Sequence, residues 1–297
     1  MYLHSIIWDI DPILLHIGEG GIRWYGLLWA LGIMICYLIQ IKLYKNENCP
    51  KEWTDHLFVW MVTGVIIGAR LGHCLFYEWH YYQDAIQLFA FNIHYRNPYI
   101  EHPFWLLRIW EGGLSSHGGA IGLIVAAWLL NKKHFSKRPE YHTSLIWIFD
   151  RLVIGVCITG ALIRLGNLMN SEIYGNPTDV PWGFVFVRDG MTVPCHPTQI
   201  YEMLYCLVAF VVTWFMYWKG KCYQRQGLIF GTFLVIIFGV RFALEFIKLN
   251  QETFEETMLL NMGQILSLPF ILWGIYLIVH ALRTPAIQPA QPKASRK

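Results

Sequence analysis

Charge is what this sequence has least of. Only 14% of its 297 residues are Asp, Glu, Lys or Arg, against roughly 25% in a soluble domain. With 55% apolar and 16% aromatic residues and a mean hydropathy of +0.38, an ordinary soluble enzyme is excluded. The net charge of +3 is too small and too dispersed to point to a nucleic-acid partner. Familiar catalytic signatures are missing as well. There is no HExxH, no aspartate-rich metal loop, no P-loop and no GxSxG, so metal-assisted hydrolysis and serine-type chemistry have no support. The seven cysteines are odd in number and scattered. Cys36, Cys74, Cys157 and Cys206 stand inside apolar runs, and none forms a CxxC or a Cys/His metal spacing. Neither disulfides nor a zinc site is expected.

What the sequence does have is long apolar runs. A bilayer core needs about 20 apolar residues per helix. Seven segments meet or approach that length: Tyr25–Ile41, Asp55–Phe76, Leu114–Leu130, His142–Ile163, Thr198–Trp218, Gly227–Ile247 and Met262–His280. The reading is an all-α polytopic membrane protein of about seven transmembrane helices. Thr54 or Asp55 can cap the second helix and Asn261 the seventh. Pro197 suits the first turn of the fifth, where its missing N–H is no loss. Trp24, Tyr25, Trp53, Tyr77, Trp79, Tyr217 and Trp218 mark an interfacial aromatic belt. The first residues lack the basic start and cleavage site of a signal peptide.

Lys and Arg set the orientation. Residues 42–54, 131–143, 218–226 and 281–297 hold 14 of them in 52 positions, whereas 1–23, 79–113, 164–199 and 248–261 hold 6 in 108. The positive-inside rule makes the first set cytoplasmic, with the N-terminus outside and the C-terminus inside. The chain then reads as one domain over 1–297. It carries an outer interfacial arm at 1–24, outer loops at 79–113 and 164–199 forming a small head, and a cytoplasmic tail at 281–297. Loops of 35 and 36 residues are usually functional, so the working surface faces away from the cytoplasm. No internal repeat is visible, which counts against a transporter built from two related halves.

Three arginines fall inside the spans: Arg70, Arg151 and Arg241. Each costs roughly 2.5–3.5 kcal/mol at a helix centre, so each needs a partner or a task. Arg70 is flanked by Gly68, Ala69 and Gly72, which admit a neighbouring backbone or a lipid headgroup. Arg151 is expected to pair structurally with an acid such as Asp150. Arg241 precedes Glu245 by one helical turn, close enough for the two to neutralise each other.

The stretch from Arg164 to Gly175 is the densest polar signal. Arg164 and Asn167 share a face if the helix continues, and Asn170 and Glu172 follow on the first turn of the loop. An arginine fork suits phosphate, and Glu172 can orient Arg164 or hold a hydroxyl. The competing explanation is a helix end whose Arg and Asn satisfy carbonyls. His117 opens the third helix among Gly112, Gly113, Gly118, Gly119 and Gly122, uncrowded and able to accept a proton at neutral pH. A structural histidine is the alternative. Gln199 and Glu202 enter the fifth helix on one face and can support the arginines as acceptors.

In this order these motifs resemble the phosphatidylglycerol–prolipoprotein diacylglyceryl transferase family of bacterial inner membranes. The likeness runs from Arg23-Trp24-Tyr25-Gly26 to Asn261-Met262-Gly263-Gln264. Its strongest markers are Arg164-Leu165-Gly166-Asn167 through Gly175, His117 with its glycines, His196-Pro197-Thr198-Gln199 with Tyr201-Glu202, and Arg241 with Glu245. The resemblance implies transfer of a diacylglyceryl group from phosphatidylglycerol to the thiol of a prolipoprotein's lipobox cysteine. Glycerol phosphate is released without metal or cofactor. It further implies that Arg164 and Arg241 are essential arginines and His117 the histidine of the reaction. Tyr25, Asn167, Asn170, Glu172, Gly175 and Glu245 match other functional positions. Arg70, Gln199 and Glu202 complete the expected substrate-binding set. Two positions depart from the family: Ile163 replaces a glycine and Ile237 a tyrosine, so no role passes to the latter.

A monomer is expected, with a central cavity lined by helices 1 and 3–6 that opens sideways to both amphiphilic substrates. Three rivals use the same residues differently. An anionic-lipid or anion transporter would bind without covalent chemistry, a related transferase would use a non-protein acceptor, and an assembly protein would leave the buried charges unexplained.

Overall fold

The computed structural model describes residues 5–18, 20–76, 115–248 and 260–287. These residues form seven long helices: α1 Trp24–Asn46, α2 Glu52–Phe76, α3 Ser116–Lys133, α4 Leu145–Met169, α5 Thr198–Trp218, α6 Leu228–Leu244 and α7 Met262–Arg283. Six are long and apolar enough to cross a membrane, all but α3. α3 has 18 residues, and its Ser-His start and Asn-Lys-Lys end dilute its apolar middle. The large apolar residues along the outer faces of these helices are exposed, for example Met34, Leu38, Val208, Phe215, Leu272 and Val279. That is the pattern of a protein whose solvent is lipid rather than water.

The chain divides into two compact units, Met1–Asn48 with Ile146–Lys297, and Cys49–Leu145. In the first unit α4 is the central helix, with 61% of its apolar window buried against 22–28% for α1, α5, α6 and α7. Small residues bring neighbours close: the Thr159 hydroxyl on α4 donates to the Gly32 carbonyl on α1 at 3.0 Å, the small-residue contact typical of membrane helices.

Arg151 is 1% exposed and does pair with an acid, although the main partner is not its neighbour. Its guanidinium takes Glu47 in a two-pronged grip, Nε–Oε1 3.0 Å and Nη2–Oε2 2.7 Å. It also donates to the Tyr223 carbonyl at 2.9 Å and stacks over Trp147. Asp150 is a more distant second partner, its Oδ2 3.8 Å from Arg151 Nη1, and its main contacts lie elsewhere. Its carboxylate accepts from the backbone N–H groups of Gly227 (2.7 Å) and Phe230 (2.8 Å) and caps α6 from another helix.

Two small sheets stand at the other end of this unit. Strand β1 (Ile6–Trp8) pairs in parallel with β4 (Phe184–Phe186), and β2 (Ile13–Ile17) pairs antiparallel with β3 (Gly20–Arg23). The first-residue arm is therefore stitched to the loop after α4, a pairing across more than 170 positions that no local pattern reveals. The Trp8 indole donates to the Leu168 carbonyl at 2.9 Å. Leu168, Phe184, Phe186 and Cys195 make a small core, with Trp8 and Tyr174 packed against it. The loop expected to begin at 164 begins later, because α4 runs to Met169.

In the second unit α2 and α3 pack over facing glycines. A Cβ on Gly64 would stand 2.5 Å from the Ala126 methyl and 2.7 Å from the Gly122 carbonyl, and Gly68, Gly72 and Gly118 are equally crowded. Methyls here would overpack the seam, typically at about 1–3 kcal/mol each. Ser115 caps α3, its Oγ accepting from Gly118 N at 3.3 Å, while its own N–H reaches the Ala69 carbonyl at 2.9 Å. Trp53 stacks on Phe135 at a centroid distance of 4.1 Å. The seven cysteines are free thiols.

Candidate active site

The extension of α4 to Met169 puts Arg164 and Asn167 on one helical face, and their side chains meet. Arg164 Nη1 donates to Asn167 Oδ1 at 3.2 Å. The Asn167 amide in turn donates to Glu172 Oε1 at 2.7 Å, and Asn170 Nδ2 reaches the same oxygen at 3.2 Å. Glu172 thus orients Arg164 through Asn167, one of the two roles expected of it. Asn167 is 4% exposed, so its amide spans two charged groups with little competition from water.

The loop that presents Glu172 turns sharply. Ser171 and Ile173 adopt left-handed backbone, with φ of 56° and 60°, which is rare for any residue but glycine and rarest for a β-branched one. Two side chains from the start of α5 hold it there. Gln199 Nε2 donates to the Glu172 carbonyl at 2.7 Å, and the Thr198 hydroxyl donates to the Ile173 carbonyl at 2.9 Å. Gln199 therefore supports the arginine indirectly, by fixing the backbone under Glu172. Pro197 stands one position before α5 as its N-cap rather than in its first turn.

Glu202, one turn further along α5 and 1% exposed, touches two cations. Its Oε2 lies 2.6 Å from Arg164 Nε, and its Oε1 2.5 Å from Lys248 Nζ. The first contact is an ion pair without hydrogen-bond alignment, so it holds Arg164 by charge. Lys248 Nζ is also 3.6 Å from Glu245 Oε1, and that oxygen is 3.5 Å from Arg241 Nε. The expected Arg241–Glu245 pair is present, and it is one link of a longer chain. Arg164, Glu202, Lys248, Glu245 and Arg241 alternate in sign and join α4, α5, α6 and the turn Glu245–Ile247.

The chain is buried in its middle and open at its ends. The Lys248 and Glu202 side chains are 6% and 1% exposed, whereas those of Arg164 and Arg241 are 24% and 42%. Among the described residues the Arg241 contact is Nε to Glu245, and 42% of its side chain is exposed. Two arginine forks, one held by buried Glu202 and the other by partly buried Glu245, suit an incoming phosphate, which each can grip with paired N–H donors.

Backbone crossings keep this geometry. Gly175 N donates to the His196 carbonyl at 2.8 Å and Asn176 N to the Ile247 carbonyl at 2.9 Å, and Gly175 bridges to Lys248. A Cβ at Gly175 would meet the Ile247 oxygen at 2.5 Å. Asn261 closes a capping box with Gln264 at the start of α7, as expected of a helix start there. Its amide also lies 3.4 Å from Glu245 Oε2. Gly263 leaves room for that carboxylate, since a Cβ would stand 2.5 Å from its carbon. Tyr25, in the first turn of α1, lies against Gly166 and within electrostatic reach of Arg164 and Glu172.

Of the expected residues, Tyr25, Arg164, Asn167, Asn170, Glu172, Gly175, Gln199, Glu202, Arg241 and Glu245 belong to this one constellation. Arg70 and His117 lie in the second unit, Arg70 buried on α2 and His117 exposed in the first turn of α3. The expected loop 79–113 lies wholly outside the described residues. Two members were not anticipated. Lys248 follows Glu245 by three and Arg241 by seven, one helical face, and that spacing was the available signal. Tyr205 on α5 lies within electrostatic reach of Glu202, Arg164 and Arg241, three after Glu202 in an apolar run.

A family model described as prolipoprotein diacylglyceryl transferase matches residues 12–280. The chain belongs to the prolipoprotein diacylglyceryl transferase family. Among its relatives is a phosphatidylglycerol–prolipoprotein diacylglyceryl transferase from Porphyromonas gingivalis, 43% identical over 95% of this chain and 97% of that protein. Proteins of the same name from Tolumonas auensis (40% identical, 95% and 99% covered) and Bacteroides fragilis (40%, 92% and 94%) are also similar. The matched span runs from the arm through α7, so every residue of the ion-pair chain falls within the transferase family's region.

Proposed function

We propose that this protein transfers the diacylglyceryl group of phosphatidylglycerol to the thiol of the lipobox cysteine of prolipoproteins. The supporting observation is the pair of half-open arginines, Arg164 and Arg241, joined through Glu202, Lys248 and Glu245 in a chain of this family. The reaction breaks the bond between C3 of the diacylglycerol and its phosphate oxygen while sulfur bonds to C3. The electron pair of the broken bond stays on the phosphate, which leaves as glycerol phosphate. Charge therefore gathers on phosphate oxygen in the transition state, where two guanidinium forks stabilise it selectively. The attacking species is a thiolate, and a free cysteine has a pKa of about 8.5, so a base is needed at neutral pH. We assign that role to His117, with Tyr25, Asn170 and Arg70 on the headgroup.

Both substrates are amphiphiles, which accounts for a site among apolar helices. In this reading the protein is a monomer of the bacterial inner membrane, its N-terminus and active site toward the outer leaflet and its C-terminus cytoplasmic. A transfer assay tests the reading. Purified protein, phosphatidylglycerol liposomes and a lipobox peptide are combined, with a Cys→Ser peptide as control. Mass spectrometry looks for the thioether adduct and for glycerol phosphate. An adduct on Cys alone is expected. Its absence with folded protein overturns the assignment in favour of anion transport, and glycerol phosphate without adduct points to another acceptor. His117→Gln is expected to abolish most transfer; near-normal transfer would remove His117 as the base.

A further inference from the structure

Within the Arg164–Glu202–Lys248–Glu245–Arg241 series, Lys248 is the buried cation and faces two acids. Its ammonium lies 2.5 Å from Glu202 and 3.6 Å from Glu245, with 6% of the side chain exposed. Each of those acids holds a different arginine. Lysine is a compact charge with three donors, and a buried carboxylate stays ionised only with such partners. The backbone around it is pinned by the Asn176–Ile247 hydrogen bond and the Gly175–Lys248 bridge, so the amine has a fixed seat.

Resting on the transferase reading, we infer that Lys248 is a positioning residue for that reaction. It keeps Glu202 and Glu245 charged and spaced, and so sets the separation at which Arg164 and Arg241 receive one phosphate. It does not touch substrate. Without it, the two carboxylates repel, each draws its own arginine closer, and the forks lose their common spacing.

The test is a double-mutant cycle on the full-length protein in phosphatidylglycerol liposomes. Lys248→Met is expected to lower kcat/KM about ten- to hundredfold, the usual worth of a hydrogen bond to a charged group. The loss should fall on the phosphatidylglycerol dependence and leave the KM for the lipobox peptide unchanged. Lys248→Arg should recover most of it. Combined with Glu202→Gln, Lys248→Met should cost far less than alone, because the charge it balances is gone. Thermal melts separate folding from function. Should Lys248→Met fail to fold, Lys248→Arg and the double variant carry the comparison. Wild-type transfer with an undiminished Lys248→Met, or losses that add fully in the double variant, would overturn the inference. Absence of wild-type transfer would instead overturn the reading on which it rests.

Discussion

Gly175→Ala is the most informative single perturbation. The new methyl would stand 2.5 Å from the Ile247 carbonyl, 2.8 Å from Thr198 Cγ2 and 2.9 Å from His196 Cβ. Thr198 begins α5 and is tied to the Ile173 carbonyl, His196 is held by backbone hydrogen bonds, and the third neighbour is itself backbone, so no flexible tip can yield. Overpacking of this kind costs about 1–3 kcal/mol. Relief requires the 175–176 segment to leave the 247–248 segment, which weakens the hydrogen bonds to His196 and Ile247 at about 1 kcal/mol each. The total is about 3–5 kcal/mol. At about 2 °C per kcal/mol for a chain of this size, the melting temperature in detergent should fall by about 6–10 °C. Because Lys248 rides on the displaced segment, transfer should fall beyond what the melt explains at a temperature where the variant is folded. Gly239→Ala is the control: its Cβ meets nothing within 4 Å, and alanine favours a helix interior by up to about 1 kcal/mol. A Gly175→Ala variant with wild-type melting and full transfer would refute the reasoning.

Asn167→Ala removes the amide between Arg164 and Glu172. It should lower kcat/KM by about ten- to hundredfold, from about 1.5–3 kcal/mol per hydrogen bond to a charged group, and lower the melting temperature by about 3–6 °C; steady-state transfer kinetics on folded protein and thermal melts check this. Glu47→Ala leaves Arg151 buried without its carboxylate and should cost about 3–5 kcal/mol of stability, seen as a lower melting temperature while the folded fraction keeps its activity. Burial holds His196 below the usual histidine range. Its folded pKa is therefore below its unfolded one, and the unfolded state binds more protons between the two. Stability is then greatest above about pH 6.5 and declines as pH falls through that window. Melts at pH 7.5 and 5.5 should differ less for His196→Gln than for wild type; an equal difference would exclude His196 as the cause.

Much of this was written locally. Long apolar runs located the seven long helices of the described residues, because a bilayer imposes both length and composition. Arg164 with Asn167, and Arg241 with Glu245, were legible because helical periodicity places residues three and four apart together. What chain order could not convey was pairing between distant segments. Arg151 took distant Glu47 as a closer partner than adjacent Asp150, β1 found β4 across the chain, and Glu202 turned out to link Arg164 to Lys248.

The sequence by itself determined the class of protein, the placement of the described helices to within a few residues and the residue types available to the chemistry. Those follow from hydropathy and short-range geometry. Only the tertiary structure decided which buried charge faces which. In a membrane interior a lone charge is too costly to keep, so every cation there must find an acid. Which acid it finds depends on how helices far apart in sequence are brought side by side.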